Sequence, residues 1–119
     1  MKITNEKVVN SLTALQVLDA SKLTVKGAFA MRKNRARLLD EARHINEAHA
    51  QIFKKHFGLL AHADDKHPQW LGFKKDVDEL MALETDIAPQ KIKSSDILEA
   101  APGLIKALDD LNWLIDDCA

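Results

Sequence analysis

A chain of 119 residues with a net charge of −1 and an apolar share of 46% is long enough for one domain with one core. A single cysteine, Cys118, excludes an internal disulfide and a cysteine-built metal site. No stretch approaches the ~20 apolar residues of a membrane span. MKITNEKVVNSL also lacks the apolar run of a secretion signal, so the expectation is a cytoplasmic protein with no membrane partner.

In chain order, the first predicted helix runs from about Asn5 to Ala20. Thr4 is suited to cap it, and Glu6 sits in the first turn, where the helix dipole favours an acid. Val8, Leu12, Leu15 and Leu18 recur at helical spacing, with Val9 widening the stripe. Ser21 to Thr24 then form a short link, and Thr24 can cap the next helix. That second helix is long, reaching Phe57, with Gly58 in the position where helices turn left-handed and Lys54 and Lys55 in the last turns. At 1.5 Å per residue it spans ~50 Å, so it must bend, protrude or pair with another chain.

Taking every seventh residue of this helix gives Ala28, Arg35, Ala42, His49 and His56. Three residues on, the companion row is Met31, Leu38, Ile45 and Ile52. The second row is wholly apolar and the first is mixed, as in a seam that packs while accommodating polar groups. This predicts a protein interface built from Met31, Arg35, Leu38, Ile45, His49 and Ile52, with a homo-oligomer as its simplest product. Arg35 can pair with an acid from another helix or run its stem to the rim of the packing, and spacing leaves both open.

Leu59 to His67 is a polar stretch and the predicted turn. Pro68 opens a third helix to about Glu84, with Trp70, Phe73, Val77, Leu80 and Met81 on its buried face. It should fold back antiparallel on the second. Residues 85–93 break helical periodicity. Pro89 favours an extended Ala88, so a short extended segment is expected near 86–93. Ser94 or Ser95 caps a brief turn from Asp96 to Ala100. Pro102 begins a final helix with Leu104, Ile105, Leu108, Leu111, Leu114 and Ile115 on one face. The predicted fold class is mostly or wholly α, in a single domain over 1–119. Its frame is a long antiparallel helical hairpin with flanking N- and C-terminal helices.

The near-neutral total hides a division. Residues 1–58 carry eleven Lys and Arg against five acids, and residues 59–119 carry six against thirteen. Either the two halves lie against each other, or one face meets an anionic partner. Lys26, Arg32, Lys33, Arg35 and Arg37 form the basic run that a nucleic-acid reading would use. At 100° per residue, Arg32, Arg35 and Lys26 point one way, and Lys33 and Arg37 nearly the other. Asn34 is the only nearby amide and Phe29 the only nearby aromatic, against the clustered face such binding wants.

Signatures of catalysis are sparse. The serines at 11, 21, 94 and 95 read as helix residues or caps, and the four glycines form neither a phosphate loop nor a dinucleotide fingerprint. Glu41 and His44 have the spacing used in carboxylate-bridged metal bundles, but those sites need a second such pair, which the chain lacks. His49 and His56 share a face and read as polar seam positions. Acidic pairs such as Asp76/Asp78 and Asp109/Asp110 read as solvated faces. The expectation is a non-enzyme without catalytic residues, metal or other cofactor.

The opening ITNEKVVNSLTAL, the link KLTVKGAF into MRKNRARLLDEA, the connector DIAPQKIKSSDI and the closing APGLIKALDDLNWLID resemble a family of small, uncharacterised bacteriophage and prophage proteins. The resemblance covers nearly the whole chain and rests on helical patterning. Thr24 stands where proline is common in the link, and the middle turn is short with extra histidines. The resemblance implies a non-enzymatic accessory protein of a phage or prophage. It would act in the bacterial host cell through a phage or host protein, in virion assembly or in host interaction. A nucleic-acid-binding regulator and an inhibitor of a host defence protein are the alternatives.

Overall fold

The computed structural model describes residues 1–18, 22–98 and 110–115. The fold is mostly α-helical, and among the described residues one two-stranded sheet ties the start of the chain to the segment after the third helix. Strand β1 (Lys2–Thr4) leads into helix α1 (Asn5–Val17), followed by helix α2 (Val25–Phe57), helix α3 (Trp70–Ala82) and strand β2 (Glu84–Asp86). Short 3-10 turns lie at Ser94–Asp96 and Asn112–Leu114.

Both predicted N-caps hold. The Thr4 hydroxyl accepts from the Lys7 amide at 3.2 Å, and the Thr24 hydroxyl accepts from the Gly27 amide at 3.1 Å. Helix α2 is 33 residues long and stops at Gly58, whose φ of 63° is reached at no cost only without a side chain. Helix α1 stops at Val17 rather than Ala20, because Leu18 already has extended backbone. Helix α3 begins at Trp70, two residues after Pro68, since 64–67 and 67–70 are closed as turns. It ends at Ala82 instead of Glu84 because Glu84–Asp86 is taken by the sheet. There, Lys2 pairs with Asp86, Ile3 with Thr85 and Thr4 with Glu84, in antiparallel register. The predicted final helix from Pro102, with Leu104, Ile105 and Leu108, lies mainly outside the described residues. Leu111, Trp113 and Leu114 are buried in the described turn.

The organising feature is the path of the chain after the hairpin turn. Helix α3 folds back along the end of α2, and the segment after it continues beside α2 towards its beginning. Thr85 donates its hydroxyl to Glu41 at 3.4 Å, and Arg37 donates to the Ala88 carbonyl at 2.8 Å. The Thr24 amide donates to the Asp96 carbonyl at 2.8 Å. Between these, Asn34, only 4% exposed, donates its side-chain amide to the Gln90 carbonyl and accepts from the Gln90 amide, both at 2.8 Å. Its amide acts as an extra strand residue, satisfying the Gln90 peptide groups, which have no ladder of their own.

Helix α1 packs on the other flank of α2, and the core lies between them. Val8, Leu12 and Leu15 meet Met31, Leu38 and Ile45, closed by Ile87, Ile92, Leu111 and Leu114. Leu38 is 1% exposed, and burying such a side chain contributes about 1.5–3 kcal/mol. The molecule measures 52 × 28 × 20 Å, its long axis matching the ~50 Å of α2.

Candidate binding cleft and basic ridge

The predicted interface row is spent inside the molecule. Met31, Leu38 and Ile45 are buried by the chain's own α1 and return segment, and Ile52 is half-buried near the α3 helix. Met31, Leu38 and Ile45 therefore pack within the chain itself, while Ile52 keeps part of its surface. The spacing identified a packing seam correctly but could not say that the chain supplies its own partner. Arg35 and His49 stay exposed. His49 lies edge-on to Phe73 with ring centroids 5.6 Å apart.

Where α1 and the start of α2 diverge, they leave a cleft of about 760 Å³. Leu15, Leu18, Leu23, Ala28 and Met31 line it with apolar surface, while Gln16, Phe29, Arg32 and Arg35 supply the rest of its wall. The two guanidinium groups sit three residues apart on one side of α2, one helical turn from each other. Phe29 is 60% exposed, and Val17 and Val25, at the adjoining ends of the two helices, are exposed as well.

Across the crest of α2 lies a second positive surface. Lys26, Lys33 and Arg37 are exposed on the side facing the return segment. Lys26 belongs with Lys33 and Arg37, not with Arg32 and Arg35, because steps of seven and eleven residues return to nearly the same helix face. Its charge also lies close enough to attract the Asp96 carboxylate. Lys33 places its ammonium 4.7 Å from the Phe29 ring centroid. In the return segment Ile92 is buried and its amide bonds to the Leu114 carbonyl at 2.9 Å. Lys91 and Lys93, flanking it in extended chain, are therefore turned to solvent. Sequence reading counted these two lysines with the acidic half. Their place beside the basic run follows only from the antiparallel return, which Pro89 and the extended connector hinted at. Asn34, the one amide near the run, is buried and engaged.

At the far end, the hairpin encloses rings. Phe53, Phe57, Trp70 and Phe73 pack with centroids 4.9–6.3 Å apart. His56 is tucked among them, with Nε2 2.7 Å from Asp76 Oδ2 and Nδ1 3.5 Å from Gln69 Oε1. Lys55 reaches the same Asp76 oxygen at 3.0 Å. Hydrogen bonds from His56 and Lys55 hold the Asp76 carboxyl below the usual aspartate range. Asp76 was read as part of a solvated pair; its half-buried partnership with His56 needs the hairpin register to be seen. His44 and His62 are exposed.

Ser11 is fully buried, accepts from the Trp113 indole at 3.0 Å and donates to the Asp110 carbonyl at 3.5 Å. It is thus a structural polar tie. Among the described residues no three His, Cys, Asp or Glu side chains gather as metal ligands would. No described helix is long and apolar enough to cross a membrane. No protein-family model, curated protein or solved structure matches this chain.

Proposed function

We propose that this chain is an accessory protein of a phage or prophage that works by binding another protein, without catalysis. The α1–α2 cleft is its docking site, and the occupant is an amphipathic helix with acidic residues beside its apolar stripe. One observation carries this reading: an apolar floor of Leu15, Leu18, Leu23 and Met31 lies beneath two exposed guanidinium groups, Arg32 and Arg35. An apolar helix face buries against such a floor, and carboxylates at its edge meet the arginines in bidentate geometry. Charge complementarity selects an acidic partner and disfavours a basic one.

A helical peptide with a leucine stripe flanked by glutamates is the direct probe, against a peptide with the glutamates replaced by lysines. Isothermal titration should give binding for the acidic peptide alone, and Arg32→Glu with Arg35→Glu should abolish it. Equal binding of both peptides, or binding indifferent to the two arginines, removes the cleft as the docking site.

A further inference from the structure

We propose that the ridge of Lys26, Lys33, Arg37, Lys91 and Lys93, with Phe29 at its crest, is a binding surface for single-stranded nucleic acid. From 25 to 39 the chain carries five basic residues and no acid. The return segment adds two more lysines beside them, so charge from positions over fifty residues apart is gathered on one surface. Asp40 and Glu41, one turn beyond Arg37, are engaged by Arg43 and Thr85, and Asp96 in the return segment is already occupied as well. It accepts from the Thr24 hydroxyl at 2.9 Å and from the Lys93 amide at 3.0 Å, and offsets only one charge of the five on the ridge. Arg37 is held in place by its bond to the Ala88 carbonyl. From Lys26 to Arg37 the ridge extends about 16 Å at the helical rise, room for several consecutive phosphates.

Phe29 decides between nucleic-acid forms. Single strands are held by a positive track together with exposed rings on which bases stack. Phe29 stands 60% exposed on the crest with Lys33 against it. A duplex, with its bases already stacked, gains nothing from that ring.

The experiment is fluorescence anisotropy of a labelled oligothymidylate of about 16 nucleotides with the full chain, against a duplex of equal length. Binding should fall steeply with added salt, and Lys91→Glu with Lys93→Glu should weaken it at least about tenfold. Phe29→Ala should weaken the single strand and leave any duplex binding unchanged. Both lysines are exposed in extended chain, so circular dichroism should show the reversed variant folded. No anisotropy change at low salt overturns the proposal, as does affinity untouched by the lysine reversal or a preference for the duplex. Because Arg32 and Arg35 lie over the cleft and Lys91 and Lys93 do not, the peptide and oligonucleotide measurements fail independently.

Discussion

Asp96 shows how one side chain fastens two distant parts of the chain. Its carboxylate accepts from the Lys93 amide and the Thr24 hydroxyl, with Lys26 and Lys93 close enough to add Coulombic attraction. These contacts hold its carboxyl below the ordinary aspartate value of 3.8, the backbone bond most of all. A carboxyl whose affinity for protons is lower when folded stabilises the fold above its unfolded pKa. That contribution disappears as pH falls through the folded value. Asp96→Asn should therefore lower the urea midpoint at neutral pH and cost progressively less as pH drops below about 4, converging on the parent under strong acid. A constant difference across the range would show that the carboxylate's charge does no stabilising. None of this was visible in SSDIL, where Asp96 read only as the opening of a turn.

At the scale of elements, the hairpin end is fitted around His56. A methyl group on Gly72 would come 3.0 Å from His56 Cε1 and 3.3 Å from Nδ1, so the absent side chain is what lets the imidazole lie against α3 and reach Asp76. Two effects compete when Gly72→Ala is made: helix propensity favours alanine by about 1 kcal/mol, and the ring contact opposes it. Urea titration should show a smaller gain, or a loss, with His56 present and the full propensity gain in a His56→Ala background. Additive effects in the two backgrounds would separate the glycine from the histidine. The helices themselves were legible from caps, apolar spacing and Gly58. Strand β1 was not, because three residues are too few for alternation to register, and its partner lies eighty residues away. The final helix is a different case, since most of it falls outside the described residues.

For the whole molecule, the length of α2 pointed to self-association, and the return of the chain removes that need. A homo-oligomer was expected because one apolar row required a partner. The row is covered from within, so light scattering should give the mass of one chain, 13.3 kDa, at low and high salt. In keeping with this, Ile45→Asp should unfold the protein rather than dissociate it, since an unpaired carboxylate would sit in the core. A stable multimer would place the contact on exposed surface, with the cleft or the outer face of α2 as candidates. The charge division resolves in part the same way: Lys55 meets Asp76 across the two halves, and Lys26 attracts Asp96 without pairing with it directly. Besides Arg32 and Arg35 over the cleft, the basic excess gathers where Lys91 and Lys93 join it, which composition could not locate because tertiary structure decides it.

The antiparallel return also sets an order of assembly. Near Gly58 the facing residues are close in sequence, with His56 and Asp76 twenty apart, whereas Thr24 and Asp96 are seventy-two apart. Loop closure costs more for each more distant pair, unless the nearer pairs are already joined. The two sides of the hairpin should therefore close like a zip from the aromatic end towards Thr24, each contact shortening the loop that the next must close. The five like charges of the ridge meet at the open end, last of all, against their mutual repulsion. An anion bound there would act as the clasp, slowing the opening of the end that forms last.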